Sequence, residues 1–198
     1  GVNSVKIHSK SLTVFSGSDD ATIRMWDLKT NKCLKIFKGH IGQVQKVIPL
    51  NIPEDYDLVK EDEDDEKDEE EEDEEEEDNE EFGEIDYSDE TRQYPTYILS
   101  ASLDNTIKLW NVKTGKCIRT QFGHVEGIWD ISADTFRIVS GAHDRSTKIW
   151  DLQSGKCMNT FAGHNSPVTC VGLGDSSFAS GDDTGVVRMV NFDVDTLE

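Results

Sequence analysis

Gly-His dipeptides at Gly39-His40, Gly123-His124 and Gly163-His164 alternate with Trp-Asp or Trp-Asn pairs at Trp26-Asp27, Trp110-Asn111 and Trp150-Asp151. Trp150 follows His124 by 26 residues, and Val190-Asn191 follows His164 by the same interval. Trp110 follows His40 by 70, so one unit carries 44 additional residues. Between these marks Ser16–Ile23, Ser100–Ile107 and Ser140–Thr147 correspond position by position. Such a period constrains the fold before any local reading, because each unit must bury its apolar face against a neighbouring copy.

The units are built of strands. Thr22-Ile23-Arg24-Met25-Trp26 alternates polar and apolar residues, as a half-buried strand must, and Thr106 to Trp110 repeats the pattern. Thr30-Asn31, Thr114-Gly115 and Ser154-Gly155 supply turn residues that tolerate positive φ, and strands follow at Cys33–Phe37, Cys117–Phe122 and Cys157–Phe161.

These motifs resemble the WD-repeat family, whose units of about 40–45 residues form four-stranded propeller blades. The resemblance covers everything except roughly residues 51–94. It implies an all-β fold: a WD-repeat β-propeller fragment of four blades, the first without its Gly-His and the last degenerate. The parent propeller is expected to have seven or eight blades. The chain lacks an initiating Met and starts partway through a motif, which reads as a fragment. The expected division is residues 1–50 (one blade and the first strand of the next), 51–94 (an acidic disordered insertion) and 95–198 (the remaining blades).

Charge separates the insertion from the rest. Glu54 to Glu90 holds 26 acidic residues against Lys60 and Lys67, leaving 15 acidic and 18 basic residues elsewhere. The net charge of −21 is therefore the property of one loop, and the folded part is close to neutral. So polar a segment cannot bury enough surface to offset ordering, which predicts disorder. A tenfold longer loop costs only about 2 kcal/mol of closure entropy, so a blade tolerates it. Two readings stay open for it: a solvated spacer, or a lure for basic proteins with Tyr56, Phe82, Ile85 and Tyr87 as apolar anchors.

His124, Ser140, Asp144 and Trp150, with His40, Ser100, Asp104 and Trp110, hold the residue types of a hydrolytic triad. By resemblance they form the structural hydrogen-bond tetrad of each blade, with Ser16, Asp20 and Trp26 as its remnant in the first. Recurrence once per blade, a Trp in every set and the lack of a G-x-S-x-G motif favour structure over catalysis. In the last blade His164 and Ser180 remain, but Thr184 replaces Asp and Val190 replaces Trp, which predicts an incomplete network. Cys33, Cys117 and Cys157 fall at one strand position in different blades. Neither a disulfide nor a metal site is expected, and they read as small core-like residues.

Partners are expected on the top face, formed by the loops after Gly-His and the turns holding the tetrad Asp. The candidates there are Asn3, Asp19, Gln43, Gln45, Leu103, Trp129, His143, Arg145, Thr169 and Asp183. Trp129 and Arg145 are the types that dominate interfaces. Packing between blades is the alternative for Trp129, and a solvated turn for Arg145. No catalytic residue, cofactor or metal is expected, nor direct nucleic-acid or membrane binding: zinc-finger spacing, P-loop, HExxH and long apolar runs are all missing from the sequence.

Asn105 to Trp110 and Val112 to Gly127, with Ser16–Trp26, Gly42–Lys46, Asp151–Met158 and an acidic insertion after Ile48-Pro49-Leu50, are similar to the fungal sulfur-regulating F-box/WD-repeat family. That resemblance implies the substrate receptor of a cullin-type ubiquitin ligase, working in nucleus and cytoplasm. Its propeller would hold a substrate such as a transcriptional activator of sulfur amino-acid genes. The cullin-ligase adaptor would bind an F-box that these 198 residues do not include. The competing reading is a nuclear scaffold that binds histones or ribosomal proteins through the acidic loop.

Overall fold

Alternating burial along each repeat gives three or four short strands per unit. In the computed structural model, which describes residues 1–52, 58 and 82–192, these make four antiparallel sheets. Blade 1 is β1 (Val2–His8), β2 (Thr13–Ser18), β3 (Ile23–Asp27) and β4 (Cys33–Phe37). Blade 2 is β5 (Val44–Leu50), β6 (Tyr97–Ser102), β7 (Ile107–Asn111) and β8 (Cys117–Gln121). Blade 3 is β9 (Ile128–Ala133), β10 (Arg137–Ala142), β11 (Thr147–Asp151) and β12 (Cys157–Phe161). Blade 4 comprises β13 (Val168–Leu173), β14 (Ser177–Asp182) and β15 (Val187–Asn191). The turn residues behave as expected: Asn31, Gly115 and Gly155 all have positive φ.

The inner strands β1, β5, β9 and β13 stand side by side in that order, and the core lies at the junctions between blades. Phe15, Ile23, Met25 and Phe37 of blade 1 meet Val44, Val47, Ile98 and Trp110 of blade 2. Leu99, Ile107 and Leu109 of blade 2 meet Ile128, Ile131, Ile138 and Trp150 of blade 3. Val139 and Ile149 of blade 3 meet Phe178 of blade 4, with Val171 and Val190 beside them. Val5 is 60% exposed, whereas Val47, at the same strand position one blade on and packed against blade 1, is fully buried.

Polar clasps accompany these apolar junctions. The Val47 N–H donates to Ser4 Oγ (3.1 Å), and the Val171 N–H to Asp130 Oδ2 (2.9 Å). Ser4, Lys46 and Asp130 occupy the same register position in successive blades. Lys46 has no acceptor to offer, and instead spans the blade 2–3 junction as an ion pair with Asp130 (2.8 Å). Gly141 allows the next blade to approach, since a Cβ there would lie 2.5 Å from Val168 Cγ1. On the outer strands, Lys35 Nζ donates to the carbonyls of Val112 and Lys113, and the Arg119 guanidinium to those of Leu152 and Gln153.

Part of the insertion corrects the expectation of disorder over residues 51–94. Leu58 is buried with Leu50, Ile52 and Tyr97, and its carbonyl accepts from Arg119. Residues 82–94 return across the bottom of blade 1. The Gly83 N–H donates to Cys33 O (2.8 Å), the Gln93 N–H donates to Lys10 O (3.1 Å), and Ile85 and Tyr94 pack on the core of the blade 1–2 junction. Arg92 pairs with Asp27 (2.7 Å) and donates to Ser11 O. Ile85 is thereby committed to the fold and is no anchor for a partner, while Phe82 and Tyr87 stay exposed. Tyr56 and the densest acidic run fall outside the described residues.

The cysteine expectation holds for one position of three. Cys33 is buried, but Cys117 and Cys157 start the outermost strands of blades 2 and 3 and are exposed. An edge strand carries one face to solvent, so a position that is core in blade 1, under the returning insertion, is surface elsewhere.

Candidate functional site

The buried polar sets assemble at the end of each blade that carries the Gly-His loop. In blade 2, His40 Nδ1 lies 2.7 Å from Asp104 Oδ2 and its Nε2 2.7 Å from Ser100 Oγ, which also accepts from Trp110 Nε1 (2.8 Å). Blade 3 repeats this with His124, Asp144, Ser140 and Trp150 at 2.7–2.8 Å. The Gly-His glycine makes room for the indole: a Cβ on Gly123, whose φ is +157°, would meet the Trp150 ring at 2.9 Å. In blade 1 Trp26 Nε1 donates to Ser16 Oγ (2.9 Å), and Asp20 accepts from Thr22.

These distances are those of a catalytic triad, yet the arrangement cannot attack a substrate. Ser100 and Ser140 are fully buried, and the hydroxyl oxygen already accepts an indole N–H while the hydroxyl proton faces His Nε2. The sets tie the Gly-His loop to the sheet. Asp104 Oδ2 also accepts the Ile41 N–H, and Asp144 Oδ2 the Val125 N–H (both 3.1 Å).

Blade 4 overturns the expectation of a missing carboxylate. Asp182, two residues before Thr184, supplies it: His164 Nδ1 is 2.8 Å from Asp182 Oδ2, and Nε2 is 2.8 Å from Ser180 Oγ. Thr184 instead donates to Asp182 Oδ1. The same Asp-x-Ser/Thr bond links Asp20 to Thr22, Asp104 to Thr106 and Asp144 to Ser146. Asp182-Asp183-Thr184 therefore carried a legible signal, displaced by two positions. The indole is absent, as Val190 implies, and the Arg188 guanidinium lies beneath Gly163 where a Trp ring lies beneath Gly123.

Burial pushes the His124 imidazole below its ordinary 6.5, against the Asp144 bond that pulls it up. For Asp144, burial favours the neutral form, but hydrogen bonds from Ser146 and His124 hold the carboxyl below its ordinary 3.8. Both folded-state values are depressed, so both contributions are full above the unfolded values and are lost as pH falls. The melting temperature is expected to be flat above pH 7. It should fall from about pH 6.5 as unfolded His124 gains its proton, then more steeply below pH 4, as differential scanning fluorimetry from pH 8 to 3 would show. A melting temperature unchanged between pH 7 and 5 would contradict a His buried without its proton.

Above the tetrads, two residue positions recur in every blade: Asn3, Gln45, Trp129 and Thr169, one residue into the inner strands, and Asp19, Leu103, His143 and Asp183, on the turns between second and third strands. One clasp sets each turn: the Leu103 N–H donates to Gln43 O (2.9 Å), the His143 N–H to Gly127 O (2.8 Å) and the Asp183 N–H to Pro167 O (3.2 Å). The side chains form a row that changes character along the blades. Asn3 donates to Asp19 (2.8 Å) and to Val44 O (3.3 Å). Gln45 lies beside Gln43, and Ser166 donates to Asp183. Trp129 Nε1 donates to His143 Nδ1 (3.3 Å), the two rings 6.3 Å apart. Trp129 is half-buried at the edge of the junction rather than part of its core. Arg145 is exposed in a turn at φ +65°, and Thr169 is exposed.

Leu103, Asn105, Val125, Glu126, Gly127, Trp129 and His143 line a cavity of about 380 Å³ between blades 2 and 3. Sequence reasoning missed Asn105, Val125, Glu126 and Gly127. Asn105 Nδ2 donates to Val125 O (3.3 Å), so the turn and the Gly-His loop hold one another. Among the described residues no group of three or more His, Cys, Asp or Glu side chains is placed to hold a metal ion.

The family model for "WD domain, G-beta repeat" matches residues 1–27, 91–111, 115–151 and 155–191, which is more than half of the chain. Over 98% of its length the chain is 51% identical to an F-box protein of Saccharomyces cerevisiae, of which it covers 34%. It is 47% identical, over 70% of its length, to a probable E3 ubiquitin ligase complex SCF subunit sconB of Talaromyces stipitatus, covering 21% of that protein. The corresponding protein of Emericella nidulans is 44% identical over 70% of this chain, which covers 23% of it. The chain thus spans about a third or less of these relatives. Among solved structures, the computationally designed Ika4 protein superposes at a TM-score of 0.67, with 23% identity, over 96% of this chain and 91% of that one. The designed Ika8 protein gives the same TM-score over 46% of its own length, at 22% identity, which is a likeness of fold. From the repeat match, the four blades and the recurring tetrads, the chain belongs to the WD domain, G-beta repeat family.

Proposed function

We propose that these blades are part of the substrate-holding propeller of an F-box/WD-repeat receptor in an SCF-type ubiquitin ligase. In this reading the propeller binds a target protein on the face that carries the Gly-His loops. An F-box outside these 198 residues recruits the adaptor and cullin, and ubiquitin reaches the target by proximity. The propeller performs no bond chemistry. The observation that carries the reading is 51% identity to an F-box protein along nearly the whole chain. Relatives whose names specify an SCF subunit add to it, and the sealed tetrads fit a binding role. We further propose, from the resemblance of the repeats to the sulfur-regulating F-box/WD-repeat family, that the target includes a transcriptional activator of sulfur amino-acid genes and that the setting is nucleus and cytoplasm. The alternative of a nuclear scaffold for basic proteins finds no support in these relatives.

The test is gentle purification of the tagged full-length protein followed by mass spectrometry. A cullin and its F-box adaptor are expected in near-stoichiometric amounts. Their absence under conditions that preserve known cullin complexes would refute the receptor assignment.

A further inference from the structure

We infer that the cavity between blades 2 and 3 binds an unphosphorylated peptide segment through one large apolar side chain, with lysine or arginine beside that anchor. The inference rests on the protein-binding role proposed above and narrows its chemistry. Three observations carry it.

The first is shape and lining. An open depression of about 380 Å³, edged by Trp129, Leu103 and Val125 and lined in part by polar groups, is large enough to receive a side chain. Val125 is 78% exposed, and its counterpart Ile41 at the neighbouring Gly-His loop is 93% exposed, so each of these loops presents an apolar side chain to solvent. Isolated exposed apolar residues need no explanation, but a cluster around a half-buried Trp marks an interaction site. The tetrads fix both walls, because Asp144 holds the Val125 N–H and Asp104 the turn that carries Leu103. A preformed cavity loses little entropy on binding.

The second is polarity within the cavity. Trp129 Nε1 can only donate, so His143 Nδ1 accepts and the imidazole proton sits on Nε2. That N–H points away from Trp129 and can donate to a backbone carbonyl, which suits a peptide.

The third is charge. Glu126 lines the cavity, Asp183 takes the next place along the row on one side, and Asp19, bonded to Asn3, stands beyond Leu103 on the other. A phosphate would require paired guanidinium or ammonium groups converging on it. The row contains none. An apolar middle flanked by carboxylates complements an apolar residue flanked by cations.

Cellulose-bound peptide arrays probed with the full-length protein test this. They would carry random 12-residue segments, each also made with phosphoserine or phosphothreonine at every Ser or Thr. Enriched peptides should share one large apolar residue with Lys or Arg within three positions, and phosphorylation beside the anchor should weaken them. For a synthetic peptide taken from the enriched set, Trp129→Ala should raise Kd at least tenfold. Glu126→Lys should move the flanking preference from basic to acidic, and both variants should remain folded because neither side chain belongs to the junction core. Enrichment of phosphopeptides, selection unchanged by Trp129→Ala, or no enrichment at all would each overturn the inference. The readout does not involve cullin, so peptide binding with no copurifying cullin would overturn the receptor reading alone.

Discussion

Trp150→Ala is expected to lower stability by about 3–5 kcal/mol, measured as the shift of the urea midpoint at unchanged slope. The ring is 1% exposed, lies against Gly123 and belongs to the core shared by blades 2 and 3. Most of the loss is packing rather than polar. Blade 4 keeps its His164–Ser180 and His164–Asp182 bonds without an indole, so the hydrogen-bonded trio survives where Trp is missing. Trp150→Phe should accordingly cost much less, about 1–2 kcal/mol, because Ser140 loses one donor but keeps His124. Trp26→Ala should also cost less, since that ring is only half-buried. Equal losses for Trp150→Ala and Trp26→Ala would show that the position, and not the filled junction, sets the value.

Such contrasts explain which features could be read in advance. The strands and the two full tetrads repeat at one spacing, so agreement between copies identified them without any tertiary information. Asp182 escaped because position-by-position comparison assigns its place to Ala142, although its bond to Thr184 follows the local rule of the other blades. The exposure of Cys117 and Cys157 escaped because burial on an outer strand depends on what lies beside the blade, which periodicity does not encode. The cavity at Trp129 was half legible. Sequence placed Trp129, Leu103 and His143 on one face, but Val125, Glu126 and Asn105 reach it only through the clasp between turn and Gly-His loop. Composition concealed the returning arm most completely. An average over residues 54–90 is dominated by carboxylates and hides Gly83 and Ile85, while Arg92 and Tyr94 lie just past its end.

That arm also distinguishes two parts of the insertion that charge alone would treat as one. Arg92 is nearly buried, and its guanidinium joins Asp27, itself 5% exposed, to the carbonyls of the β1–β2 turn. Burial disfavours the Asp27 carboxylate, but its bond to Arg92 and the N–H groups of Lys29 and Thr30 hold its pKa below the usual range. Arg92→Ala leaves that charge buried with two of its three hydrogen-bond partners. Removing one member of such a pair costs about 3–5 kcal/mol, and the lower end is expected here because Lys29 and Thr30 remain. Arg92→Ala with Asp27→Asn should recover part of the loss, since the buried charge then goes as well. Replacing residues 59–81 by a flexible Gly/Ser linker of equal length should shift the urea midpoint very little, because so acidic a run has little apolar surface to bury. A midpoint for Arg92→Ala within about 0.5 kcal/mol of the parent, the range of ordinary surface substitutions, would mean that the arm merely rests on blade 1. A large loss from the linker replacement would show that the acidic run itself holds the blades. The expected pattern instead makes the arm a strap from blade 2 across the base of blade 1, fastened by one ion pair and two apolar side chains.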